Sequence, residues 1–168
     1  MNRRRNLQFI LSLLLSAALI VSIGIFYHPK AQSDLQVYFL DVGQGDASYI
    51  KNASGQDILI DGGPDNSVLN QLDKVMNFGD REIDLVILSH PHADHLTGLL
   101  EVLQRYQVDE VWETGVEYPS ATYAKWHQDI AQKNIPRKEV QAGESKSFGN
   151  LKIEILSPLS PLANKKID

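Results

Sequence analysis

The chain changes character at Leu88. Residues 83–88 form an apolar run suited to a buried strand. Ser89, His90, Pro91, His92, Ala93, Asp94 and His95 follow at once as a polar turn, and Leu96, Leu99, Leu100 and Leu103 then recur at helical spacing. Three of the five histidines and one aspartate therefore fall within six residues, directly beyond a strand end. Imidazole and carboxylate are ligands of first-row metals, with zinc the usual borderline case. His90 and His92 stand two apart, so both can face one way. Asp94 and His95 lie on the turn into the helix and can point at a neighbouring position. One short segment could thus serve two adjacent ions. The bland alternative, a solvated loop with chance histidines, does not account for this density of donors after so apolar a strand.

The rest of the body alternates strands and helices. Residues 35–40 alternate apolar and polar as a strand does. Residues 41–46 are a Gly-rich turn, 47–51 resume as a strand, and 52–55 have the composition of a hairpin turn. A short apolar strand over 57–60 ends in Asp61, Gly62, Gly63 and Pro64. Val68, Leu69, Leu72, Val75 and Met76 predict a helix over 66–77. A strand is expected over 108–112, a helix over 118–133, a hairpin end and strand over 146–156, and a loop after that. There is no internal repeat.

The first thirty residues read differently. Arg3, Arg4 and Arg5 form a basic start, and residues 7–27 then carry no charge for 21 positions. About 20 apolar residues span a bilayer core. That run exceeds the usual signal-peptide core, and Ala31, with Pro29 two residues before it, makes a poor cleavage site. The favoured reading is an uncleaved single-pass anchor over residues 1–30, with the body outside the cytoplasm by the positive-inside rule. The alternative is secretion after cleavage. His28 sits at the exit of this segment and reads as an interfacial residue. Residues 28–34 are a short polar linker, and the domain proper is expected over 35–168.

The chain has no cysteine, which excludes a disulfide framework, Cys-ligated zinc, an iron–sulfur cluster and thiol catalysis. Residues 31–168 hold twelve basic against 21 acidic side chains, a net of −9. So acidic a body is a poor match for bulk nucleic-acid binding, although a local site built around cations remains compatible with it. Gly43, Gln44 and Gly45 are too short a loop to argue nucleotide binding.

The run from His90 to His95 resembles the H-x-H-x-D-H motif of the metallo-β-lactamase superfamily. Two flanking segments, residues 39–47 (Phe-Leu-Asp-Val-Gly-Gln-Gly-Asp-Ala) and 59–64 (Leu-Ile-Asp-Gly-Gly-Pro), look like the opening strands of its ComEC-type branch, which includes the extracytoplasmic hydrolase domain of a DNA-internalisation competence protein. The resemblance covers about residues 35–158 and implies an α/β fold, the four-layer αββα sandwich, here truncated to its N-terminal half. It implies two divalent metal ions, zinc first, with manganese or iron as alternatives. His90 and His92 match two ligands of the first metal, and Asp94 and His95 match two of the second. Asp94 would also orient or deprotonate the attacking water, which a metal pair activates while bracing the attacking and leaving oxygens. Asp61 matches an acid after the third strand that holds ligands or the turn by hydrogen bonds. Asp46 either supports the same loop or merely caps its turn.

The second half of the family's domain supplies a third His to the first metal, a bridging Asp and a final His. Nothing here matches them. The remaining histidine, His127, falls on an expected helix and reads as a surface or packing residue. The chain therefore looks like a fragment, inactive as it stands. Three functions remain open for the parent. The first is a metal-dependent hydrolase of a phosphoester, including a phosphodiester of DNA, anchored at or exported across the membrane. The second is a β-lactamase-like amide or thioester hydrolase. The third is a non-catalytic metal-binding protein. No protein partner can be inferred.

Overall fold

The computed structural model describes residues 3–26, 35–149 and 151–162, with the side chains of residues 3–7, 9 and 23–26 left out. The chain divides at Ser33/Asp34 into two compact units. The first holds one helix, α1 (Arg3–Phe26), whose described apolar side chains, Leu13, Leu15 and Ile20 among them, are exposed. Among the described residues no helix is long and apolar enough to cross a membrane. The anchor expected over 7–27 is therefore not supported by the described residues, which include all of that segment but Tyr27. The linker over 28–34, with His28 and Ala31, also lies outside the described residues.

The second unit is built on a six-stranded sheet of order β1-β2-β3-β5-β7-β8. Its strands are β1 (Gln36–Phe39), β2 (Ser48–Lys51), β3 (Asp57–Ile60), β5 (Leu85–Leu88), β7 (Val111–Glu113) and β8 (Arg137–Glu139). The first three pair antiparallel, and β3, β5, β7 and β8 run parallel. Parallel strands need crossovers, which here contain α2 (Ser67–Val75), α3 (Ala93–Arg105) and α4 (Ala121–Gln132). A short parallel pair, β4 (Glu82–Ile83) with β6 (Gln107–Val108), and a hairpin of β9 (Ser145–Phe148) and β10 (Leu151–Glu154) complete the unit.

Strand periodicity divides the core in two. Tyr49, Leu59, Val86, Leu88 and Val111 point to the helices and meet Val68, Leu72, Leu96, Leu99, Val102 and Trp126. Ile58, Leu85, Ile87 and Trp112 point to the other face, where Val140 and Phe148 join them. This sheet-and-helix arrangement is the mixed α/β architecture expected.

Three expectations need correction. The helix expected from Leu96 starts at Ala93, with His92 as its cap in extended conformation, so Asp94 and His95 stand in its first turn. The strand expected over 108–112 is broken, because Val108 pairs with β4 while Val111 pairs with β5 and β8. The helix expected over 118–133 begins at Ala121 behind Ser120, whose hydroxyl accepts from the Tyr123 amide at 3.1 Å. It ends in a Schellman pattern: Asn134 takes φ 53°, and the Ile135 amide reaches the Ile130 carbonyl at 3.0 Å.

Candidate metal centre

The carboxyl ends of parallel strands leave unpaired loops at one edge of a sheet, which is where α/β proteins place their ligands. Asp61 follows β3, Ser89, His90 and His92 follow β5, and Glu113 ends β7. Asp61 is buried and takes φ 59°, a left-handed conformation that aspartate tolerates better than most residues. Its amide donates to the Ile87 carbonyl at 2.9 Å, which ties the end of β3 to β5. Its Oδ1 accepts from the Ser89 amide at 2.8 Å, and its Oδ2 accepts from the Ser89 hydroxyl at 2.6 Å. The same Oδ2 lies 2.9 Å from His95 Nδ1.

These contacts orient the rings. A carboxylate only accepts, so His95 donates from Nδ1, and its Nε2 is the nitrogen turned to the open side of the cluster. The Ser89 hydroxyl has one proton, already given to Asp61. Its contact with His90 Nδ1 at 3.0 Å therefore runs from the imidazole to Ser89 Oγ, and His90 Nε2 is left with a lone pair. The His90 ring touches both of the others, its centroid 3.9 Å from that of His95 and 4.7 Å from that of His92. Burial first, then the neighbouring His95 and His92, pushes His90 below the ordinary imidazole value and keeps it neutral.

His95 Nε2 lies 3.9 Å from Asp94 Oδ2 and 3.9 Å from Asp46 Oδ2. His95 is the first member of the buried face of α3, in line with Leu99 and Val102, so helix packing aims it inward. The loop carrying Asp46 is drawn up by backbone contacts. The Gly63 amide donates to the Asp46 carbonyl at 3.0 Å, and the Asp46 amide donates to the Asp94 carbonyl at 3.3 Å. A Cβ on Gly98 would stand 1.9 Å from the Gly62 carbonyl oxygen, so α3 approaches the strand loop only because residue 98 lacks a side chain.

The structure thus brings His90, His92, Asp94, His95, Asp61 and Asp46 into one neighbourhood. Asp61 buttresses the histidines, and Asp46 is an exposed carboxylate facing His95. The donor set fits a divalent cation in type: three imidazoles, two of them held through Nδ1 so that Nε2 faces outward, beside two carboxylates that are not fully buried. Among the described residues no three such side chains already stand at coordinating spacing about one point. The donors are gathered without being closed into a ligand shell.

Sequence reading missed a second cluster one strand away. Glu113 is 1% exposed. It accepts from Trp126 Nε1 at 2.9 Å and from Arg137 Nη1 at 2.5 Å, and it pairs with His127 Nε2 at 2.9 Å. Burial pushes its carboxyl up, but the contacts with His127, Trp126 and Arg137 together outweigh that and hold it below the ordinary glutamate value. His127 is accordingly a partner of a buried acid as well as a packing residue. The one available signal was a lone Glu at the end of an apolar strand.

Exodeoxyribonuclease WalJ of Streptococcus pneumoniae, in strains D39 and R6, is 24% identical over 114 residues, covering 67% of this chain. The chain spans about 40% of the length of those relatives. Among solved structures, a diphosphatase from the PhnP family is 20% identical with a TM-score of 0.43, covering 65% of this chain and 41% of that one. The metallo-beta-lactamase fold protein YhfI from Bacillus subtilis is 18% identical with a TM-score of 0.47, covering 71% and 51%. The family model of the metallo-beta-lactamase superfamily matches residues 40–162, and the chain belongs to that superfamily.

Proposed function

We propose that this chain carries the N-terminal, metal-holding part of a metal-dependent phosphodiester hydrolase of the ComEC-type branch. The observation that supports it most is the buttressed histidine cluster at the ends of β3 and β5, with His90 and His95 each held through Nδ1 so that Nε2 faces outward. The likeness to an exodeoxyribonuclease favours a phosphodiester over an amide. The Gly43–Asp46 segment favours the ComEC-type branch.

In this reading His90 and His92 hold one cation and Asp94 and His95 the other, with zinc first and manganese or iron as alternatives. When bound, such a pair lowers the pKa of water and stabilises charge on the attacking and leaving oxygens. The chain's own groups do the rest. Asp61 fixes the rings of His95 and, through Ser89, of His90. Asp94, a half-exposed carboxylate of the cluster, would orient a water and accept its proton. The test is zinc- or manganese-dependent turnover of bis(p-nitrophenyl) phosphate by the parent protein. No turnover with either metal, together with hydrolysis of a β-lactam or thioester, would overturn the reading.

We further propose that residues 7–27 anchor the protein in the cell membrane with the body outside the cytoplasm, the alternative being export after cleavage. The uncharged run behind Arg3, Arg4 and Arg5 supports this. Protease added to intact cells should digest the body. Full protection, with the protein in the soluble cytosolic fraction, would refute it.

A further inference from the structure

Between the end of β7 and α4 the chain passes through Glu117, Tyr118 and Pro119. These residues, with Tyr123, Ala124 and His127, line an open cleft of about 610 Å³. The cleft starts at the histidine cluster: the Tyr118 ring centroid lies 5.4 Å from that of His92, tilted by 60°. Its far wall is a second aromatic pair, Tyr123 and His127, with centroids 4.3 Å apart. That wall is held from behind, because Trp126 and His127 of α4 both bond the buried carboxylate of Glu113. The α4 side of the cleft is therefore braced, and Tyr118 stands on the loop that leads into it.

The charge of the lining decides what it can take. It contains one acid, Glu117, and no lysine or arginine. A phosphate entering it would meet no lysine or arginine and one repelling carboxylate. A flat, uncharged heterocycle would find the half-buried ring of Tyr118 to stack on and, in Glu117, an acceptor for an amino or ring N–H group. Continuity with His92 places such a group next to whatever the histidine cluster holds.

We propose that this cleft is the subsite for the nucleobase adjoining the scissile phosphodiester, with Tyr118 as its stacking platform. The proposal rests on the phosphodiesterase reading and deepens it: the histidine cluster takes the charged phosphate, and the cleft takes the neutral base.

The test is an NMR titration of the parent protein with the deoxyadenosine dinucleotide and with its abasic twin. Stacking of one base contributes about 1–3 kcal/mol, so the dinucleotide should bind at least fivefold more tightly, with shifts at Tyr118, Tyr123 and His127. Tyr118→Ala should abolish that preference and Tyr118→Phe should keep it. Should Tyr118→Ala not fold, Ala124→Trp fills the cleft from an exposed position and should have the same effect. Equal binding of the two probes, or a preference unchanged in Tyr118→Ala or Ala124→Trp, would overturn the proposal. Metal-dependent hydrolysis of methyl p-nitrophenyl phosphate by the parent protein, an ester with no base, separates the two readings. Turnover of that ester with equal probe binding removes the base subsite and leaves the hydrolase. A base preference without turnover leaves the subsite and removes the hydrolase.

Discussion

Asp61 and His95, 34 residues apart in sequence, meet through one hydrogen bond of 2.9 Å between Oδ2 and Nδ1. Both groups are buried. The bond joins the loop after β3 to the first turn of α3, and it determines which nitrogen of His95 faces the open side of the cluster.

Asp61→Asn keeps a side chain that tolerates φ 59° and retains one oxygen acceptor, but it cannot accept at both oxygens. Either the Ser89 amide or the His95 and Ser89 side chains lose their acceptor. Zinc affinity should fall about 10–100-fold, the usual effect of removing a hydrogen-bond partner of a ligand. Thermal stability should fall by about 1 kcal/mol. Calorimetric zinc titration beside a thermal melt measures both. Unchanged zinc affinity would remove Asp61 from the site.

Gly98→Ala should be among the most damaging single changes. Its Cβ would lie 1.9 Å from the Gly62 carbonyl oxygen and 2.6 Å from that of Asp65, both backbone atoms that cannot swing aside. A cost of about 3 kcal/mol or more is expected, at the upper end of overpacking. Gly79→Ala, where nothing lies within 4 Å but φ is 82°, should cost about 1 kcal/mol from backbone strain alone. Urea denaturation of the two variants gives the comparison, and equal midpoints would refute the close approach.

Glu113 should make the fold sensitive to acid. Its folded-state pKa is depressed, because His127, Trp126 and Arg137 outweigh the effect of burial. The stabilisation is therefore present above the unfolded glutamate pKa of about 4.3 and is lost as pH falls through the lower folded value. Glu113→Gln should lose about 1.5–3 kcal/mol at neutral pH, the range for hydrogen bonds to charged groups. Its thermal midpoint should then fall less than that of the unaltered chain between pH 5 and pH 3. Parallel slopes across that window would show that Glu113 carries no special share.

Asp94→Ala in the parent protein should lower turnover far more than stability. Loss of a general base typically costs about 10²–10⁴-fold, and Asp94 is half-exposed at the start of α3, where little packing depends on it. Gln128→Ala, on the exposed face of α4, serves as the control. The 168-residue chain by itself should show no turnover with zinc, since each ion would have two protein ligands where a stable site has three or four. Turnover by that chain, abolished by His92→Ala, would show the ligand count to be wrong.

The local code made much of this legible. Alternation and apolar runs marked β1, β2, β3 and β5, and the leucine spacing marked α2 and α3, because burial on one face or two leaves a period in the sequence. The density of histidine and aspartate after β5 marked the candidate site before any fold was known. The strand β8 left no such period: Arg137, Lys138 and Glu139 are all exposed and form an edge. It is a strand because β7 offers it a partner, and its charges suit an edge that must not pair further. The pairing of Glu113 with His127 and Arg137, the orientation of the His90 and His95 rings, and the approach of α3 to Gly62 were equally out of reach. Each depends on groups brought together across a crossover, 14 to 36 residues apart in sequence. Sequence alone determined the residue types that can hold a cation and the strand that presents them. The tertiary structure decided which nitrogen faces the site and which carboxylates meet it, because hydrogen-bond direction is set by a partner's position in space and leaves no local period to read.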